Sequence, residues 1–263
     1  MFRFLGTRGT IPISGKQFAK YGGNTSCLAI PTDSEKCVIL DGGSGLYNLN
    51  SSQKFKEYHI FLTHLHWDHI CGIPLFTPFY SHDSKIFLYV EEKPITYDDF
   101  LQVLFNPPFF PVPRAMLKAN IQLKHIKGGM NFKIDDVSVF AAEGSHPDGA
   151  LMYRVNKLGR SLIFATDYEH GTPKDDFLIE FAYKSDYFVF DTTYAPEEYK
   201  TKKGWGHSTY EVGAWFAEKA KVKNLILFHH NPDHDDEVID SMAKASQELY
   251  PSTICSYDGL VLE

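Results

Sequence analysis

Three histidines and an aspartate fall within six residues, His64-Leu-His66-Trp-Asp68-His69, immediately after the short apolar run 59–62. Imidazoles and carboxylates are costly to bury without partners, so a fold that holds this strand must open its carboxyl end into a polar site. Imidazole suits zinc and other late first-row divalent ions, and a carboxylate adds charge neutralisation. His64 and His66 stand two apart, so both project to one side if the extended chain continues. Asp68 and His69 then come from the following turn and face a second ion. Two ions about 3.5–4 Å apart can clamp both oxygens of an in-line displacement. A surface turn with coincidental histidines is the competing reading, but 12 histidines in 263 residues rarely place three in six positions.

The chain around this segment reads as two halves of similar grammar with no linker between them. Runs 2–5, 26–31, 38–40, 59–62 and 86–90 are apolar and β-branched enough for strands. Gly-rich loops follow the first and third of these, Gly6-Thr-Arg-Gly-Thr-Ile-Pro and Asp41-Gly-Gly-Ser-Gly. The second half offers strands at 137–141, 151–155, 161–165, 187–190 and 225–228, with Gly159 turning a hairpin between the second and third. A helix is predicted over 209–221, with Ser208 as N-cap and Glu211 three residues on, as in a capping box. Val212, Trp215, Phe216 and Lys219 would form its largely apolar face. An acidic-started helix over 235–250 closes the chain. Segment 95–116, which holds Phe105-Asn-Pro-Pro-Phe-Phe-Pro-Val-Pro, is expected to lack regular structure, because proline removes backbone donors and restricts its predecessor. It either caps the core or walls a substrate pocket. Strands followed by helices, twice over, predict a single domain of residues 1–263 with two sheets between helical layers.

Charge and composition narrow the function classes. Net charge is −7, so the overall field does not attract nucleic acid. Lys200, Lys202 and Lys203, and again Lys219, Lys221 and Lys223, form local basic clusters that read as solvated surface. An aromatic share of 15% argues against disorder. Cys27, Cys37, Cys71 and Cys255 are scattered without C-x-x-C spacing, which indicates neither a disulfide framework nor a zinc ribbon. No apolar run approaches the roughly 20 residues that span a bilayer. The opening Met1-Phe-Arg-Phe-Leu-Gly turns polar too soon for a signal peptide, so the expected location is the cytoplasm and no membrane partner is expected.

The motif H-x-H-x-D-H, completed further along by His, Asp and His, resembles the metallo-β-lactamase superfamily over nearly the whole chain. The resemblance implies an α/β fold, a four-layer αββα sandwich of two mixed β-sheets flanked by helices. It also implies the remaining ligands. His146 in Gly144-Ser-His146-Pro fits the third histidine, and Asp167, closing Phe164-Ala-Thr-Asp167, fits the acid between the ions. His229 fits the last ligand because it follows its strand directly and keeps the spacing to Pro232; His230 remains the alternative. His64, His66 and His146 would then hold one ion and Asp68, His69 and His229 the other. Two divalent ions are expected, zinc first, with manganese or iron also permitted by these donors. Asp41 resembles the acid that orients a ligand histidine through its other ring nitrogen; a plain Gly-turn aspartate is the equal alternative.

Gly204-Trp-Gly206-His207-Ser208-Thr209 resembles the G-H-S-T element of ribonuclease Z and related phosphodiesterases, in which a non-ligand histidine approaches the scissile phosphate. His207 would assist departure of the alcohol, or else serve only in capping the helix it precedes. Asp68 would also align the attacking water. The resemblance to ribonuclease Z is incomplete, because residues 147–166 are consumed by one hairpin where bacterial members carry a tRNA-gripping arm. The Gly-rich opening and Tyr21-Gly-Gly-Asn-Thr-Ser-Cys are similar to armless relatives. The implied activity is hydrolysis of a small phosphodiester such as a cyclic nucleotide. A tRNA 3′-processing endonuclease, with a nucleic-acid partner, is the second reading. A metal-containing sensor or scaffold without turnover is the third. A homodimer is the state suggested by fold-level analogy.

Overall fold

The computed structural model of the chain describes residues 1–52, 55–92 and 97–263. Two seven-stranded mixed sheets form its centre. The first holds β1 (Phe2–Gly6), β2 (Cys27–Pro31), β3 (Lys36–Leu40), β4 (Glu57–Phe61), β5 (Lys85–Glu91) and β6 (Asn120–Ile126) in chain order. The second holds β7 (Asn131–Ile134), β8 (Val137–Glu143), β9 (Leu151–Lys157), β10 (Arg160–Ala165), β11 (Tyr187–Asp191), β12 (Asn224–Phe228) and β13 (Thr253–Cys255), also in chain order. The chain finally returns as β14 (Val261–Leu262) to pair with β1. In each sheet the first strands pair antiparallel and the last four run parallel, from β3 to β6 and from β10 to β13.

Side-chain alternation explains the layering. On β12, Ile226 and Phe228 enter the apolar layer between the sheets, where they meet Phe4, Leu40, Phe61 and Phe164. Leu225 and Leu227 point the other way, into a second core against the helices. On β4, Phe61 faces the inter-sheet layer while Tyr58 and Ile60 face outward. Both faces of these parallel strands are covered, which is why they read as nearly continuous apolar runs. The outer face of the second sheet is covered by α3 (Asp175–Ala182), α5 (Tyr210–Ala220) and α6 (Asp236–Leu249). Gly213 lets α5 settle close, since a Cβ there would stand 3.0 Å from the Phe190 ring. The outer face of the first sheet carries the short α1 (Trp67–Ile70) and α2 (Tyr97–Leu104). The short α4 (Pro196–Tyr199) lies between β11 and α5. The predicted α/β sandwich of two mixed sheets flanked by helices is thus present, and the Gly159 hairpin with it, Leu158 and Gly159 both having positive φ.

Four local expectations need correction. Segment 95–116 holds α2, because its prolines begin only at Pro107 and end the helix rather than prevent it. Leu101, Leu104 and Phe105 are buried in the outer core, so the described part of the segment caps a core; residues 95 and 96 lie outside the described residues. The N-cap of α5 is Thr209, not Ser208. Thr209 is extended and its hydroxyl accepts from Val212 N (3.3 Å), while Ser208 Oγ bonds His170 Nδ1 (2.7 Å). The buried face of α5 is Gly213, Ala214, Phe216, Ala217 and Ala220, which leaves Trp215 45% exposed. Strands β6, β7, β13 and β14 and helix α3 were not foreseen. β6, with the sequence NIQLKHI, is an edge strand buried fully only at Ile126, so it lacks a two-faced apolar signature.

Candidate metal centre

The polar residues of interest sit at strand carboxyl ends of both sheets. Asp41 follows β3, the His64–His69 segment follows β4, His146 follows β8, Asp167 follows β10, Asp191 ends β11 and His229 follows β12. Turning inward there distorts the backbone. Asp41 (φ 60°), Asp167 (φ 52°) and His229 (φ 63°) adopt left-handed conformations that favour glycine. Neighbouring backbone fixes the turns. Gly42 N donates to His69 O (2.7 Å), Gly72 N to Gly42 O (2.9 Å), and Leu151 N in the second sheet to Thr63 O in the first (2.8 Å).

Three overlapping groups of donors result, one of them Asp167, Asp191, His207 and His229 from the second sheet and its connections, and the other two each drawing on both sheets. His64, His66, His146 and Asp167 offer one ligand atom apiece within 4.8 Å of one another; so do Asp68, His69 and His229. Asp167 stands between these two, with Oδ1 3.7 Å from His64 Nε2 and Oδ2 3.2 Å from His69 Nε2 and 3.4 Å from His229 Nε2. His66 is the exposed rim of the first group and lies 3.3 Å from Asp148 Oδ2. The i, i+2 geometry brings the His64 and His66 rings together, with centroids 4.4 Å apart.

A second tier of contacts aims these groups. His69 Nδ1 donates to Asp41 Oδ2 (2.8 Å), which leaves Nε2 facing the site. Asp41 is itself fixed by Ser26 Oγ (2.9 Å) and Thr63 N (2.8 Å). Asp68 Oδ2 accepts Thr10 N (2.7 Å) and lies 3.1 Å from His229 Nε2. His229 Nδ1 lies 2.9 Å from Thr193 Oγ1, which also donates to Asp191 Oδ1 (2.8 Å). Asp191 Oδ2 holds His207 Nδ1 at 2.8 Å, and that ring lies alongside His229 with centroids 4.9 Å apart. His230 points elsewhere: its Nε2 donates to Ser256 O (2.9 Å), and burial pushes it down to about 3.

The residues fit divalent cations. His64 Nε2, His69 Nε2 and His146 Nδ1 are buried and have no hydrogen-bond partner among the described residues, an expensive state unless something accepts their lone pairs. The charge balance points the same way. Burial disfavours a charged His69, yet Asp167, Asp68 and Asp41 raise it well above the ordinary imidazole value. Burial likewise opposes ionised Asp68 and Asp167, yet the surrounding histidines hold both carboxyls low. Away from most of this negative charge, burial pulls His64 well down and His146 down to about 4. A polar, partly anionic cavity with inward-facing imidazole nitrogens calls for positive charge. His207 is not unpartnered in this way. Burial works against its charged form, but Asp191, Asp167 and Asp68 bring it up to about 9.

The sequence reading missed Asp191, Thr193 and Thr63. The signal for Asp191 was present, a carboxylate closing the apolar run Tyr187–Asp191, but such a residue reads as ordinarily as a turn former. A cleft of about 320 Å³ adjoins the centre, lined in part by Thr10, Thr193 and Tyr194; none of its described lining comes from 100–116. All four cysteines are free, and no described helix is long and apolar enough to cross a membrane.

Comparison with known proteins agrees with this geometry. The family model described as "Beta-lactamase superfamily domain" matches residues 51–230, which span every candidate ligand from His64 to His229. Ribonuclease Z of Bacillus subtilis (strain 168) is 23% identical over 310 aligned positions, covering 98% of this chain and 96% of the relative. With 263 residues here, part of that relative has no counterpart. Among solved structures, the metallo-beta-lactamase fold protein YhfI from Bacillus subtilis superposes with a TM-score of 0.75 at 16% identity, covering 99% of this chain and 97% of that one. A diphosphatase from the PhnP family superposes with a TM-score of 0.72 at 18% identity, covering 100% and 96%.

Proposed function

Because this chain belongs to the beta-lactamase superfamily, we propose that it is a dinuclear, zinc-preferring phosphodiesterase for a small substrate such as a cyclic nucleotide. The observation that carries this reading is the pair of donor groups with Asp167 reaching from one to the other, and the Asp191–His207 pair beside them. His64, His66, His146 and Asp167 would hold one ion and Asp68, His69, His229 and Asp167 the other. Divalent ions bound there supply Lewis acidity toward phosphoryl oxygens and a nucleophile from water near neutral pH. The single domain of residues 1–263 is the working unit, since each donor group needs both sheets.

The protein's own residues do the remaining work. Asp68, held by Thr10 N, presents a fixed carboxylate that can accept a hydrogen bond from the attacking water and align it. His207 carries a proton at Nδ1 toward Asp191, so Nε2 is the atom that delivers a proton to the departing alkoxide. The Asp191 carboxylate keeps that imidazolium charged and oriented. Nearby Tyr194, with its ring centroid 5.8 Å from that of His207, limits the room for bulk water.

A substrate panel on metal-analysed protein tests the reading. The native protein should turn over bis(p-nitrophenyl) phosphate and cyclic nucleotides. His207→Ala should keep its metal and lose about 10²–10⁴-fold in kcat. Unchanged turnover would remove His207 from the reaction. A metal-loaded protein inert across the panel would leave a sensor or scaffold. The relative named Ribonuclease Z supports a second reading, cleavage of precursor tRNA at its 3′ side. The net charge of −7 and the single hairpin between β9 and β10 favour the smaller substrate.

A further inference from the structure

The cleft beside the metal centre has a mixed lining. Part of it is shared with the reaction site: Thr10 N bonds Asp68, Thr193 Oγ1 touches His229 Nδ1, and Tyr194 packs edge-on to His207. The rest of the lining includes Lys202 and Trp205, together with the carboxylates of Glu198 and Asp233. Trp205 is 58% exposed, a large apolar ring left in water four residues ahead of the α5 N-cap. Its loop is stiff. Gly204 N and Gly206 N both donate to the Glu169 carboxylate, at 2.5 and 2.9 Å, and Tyr199 Oη donates to the same group (3.1 Å). Gly206 takes φ 88° and lies so close to His146 that a Cβ would sit 2.3 Å from the ring. Lys202 places its ammonium 4.0 Å from the indole centroid. Asn231 adds an amide to the cleft, its Oδ1 accepting from Asp233 N (3.0 Å).

An exposed indole on a restrained loop, a cation at its face and an amide nearby make a stacking platform with an edge-reading group. The volume, about 320 Å³, suits a small molecule rather than a folded polymer. We propose that this cleft is a nucleobase subsite, with Trp205 stacking on the base and Asn231 contacting its edge while the phosphate lies at the metal centre. The proposal rests on the phosphodiesterase reading for the position of the phosphate. It makes the substrate a nucleotide and gives Trp205 the specificity role. Because Glu169 already fixes the loop, little ordering entropy is lost when the base arrives.

The test compares adenosine 5′-monophosphate with ribose 5-phosphate by calorimetric titration of the metal-loaded protein. The native protein should bind the nucleotide about tenfold more tightly, the worth of one base–aromatic stack. Trp205→Ala should bring the two ligands to within about twofold, and Trp205→Phe should keep most of the preference. Equal binding by the native protein overturns the proposal, as does a preference that survives Trp205→Ala. Turnover is read separately. A base preference without hydrolysis of any diester defeats the phosphodiesterase reading and leaves the subsite; hydrolysis without a base preference does the reverse.

Discussion

At the scale of single residues, the centre is built from side chains in unfavourable states. Asp41, Asp167 and His229 each hold a left-handed backbone conformation, which costs a non-glycine residue on the order of 1–2 kcal/mol. Replacing one with glycine would relax the backbone and delete the function. Space is as tight as geometry. A Cβ on Gly9 would stand 2.2 Å from the His229 ring. Gly9→Ala is therefore expected to leave the fold intact and weaken metal binding by about 10–100-fold, as losing an orienting contact does; a zinc titration against a competing chelator measures it. Much of this level was legible in the sequence. Ligand chemistry is carried by residue type, and His64, His66, Asp68, His69, His146, Asp167 and His229 all meet in space. What stayed hidden was support by ordinary residues: Thr193 and Thr63 look like any strand-end threonines until their hydroxyl partners are seen.

At the scale of elements, two short pieces of chain carry precise duties. Thr209 caps α5, so Thr209→Ala should cost about 1 kcal/mol in urea unfolding. Were Ser208 the cap, that substitution would be nearly neutral. Glu169, two residues beyond Asp167, grips the loop that bears Trp205 and His207. Glu169→Gln turns one acceptor oxygen into a donor facing an N–H. The loop should slacken, with kcat falling about 10–100-fold from misplaced His207 while metal content stays unchanged; kinetics with parallel metal analysis decides it. Parallel strands were legible because both their faces are buried and their apolar runs are continuous. β6 was not, since its sequence NIQLKHI is largely polar and buried only at Ile126. Helix α2 was obscured by prolines that follow it, and the cap of α5 was displaced by one residue because serine outranks threonine as a cap by type alone.

At the scale of the whole molecule, folding and metal binding are separable in kind. Three apolar cores exist without any ligand residue, so chelated protein should keep its far-ultraviolet circular dichroism. Metal should still stabilise it, by about 2.7 kcal/mol at a hundredfold excess over Kd. The check is calorimetric Tm with zinc and with chelator; a Tm indifferent to both would deny the site its cations. Both donor groups proposed for the ions span the seam between the sheets, so the apolar layer between them acts as a spacing gauge. Phe61, Phe164 and Phe228, none of them a ligand, set how far apart the two jaws stand. Thinning or thickening that layer would respace both cation seats together, giving metal preference a control buried remotely from every coordinating atom.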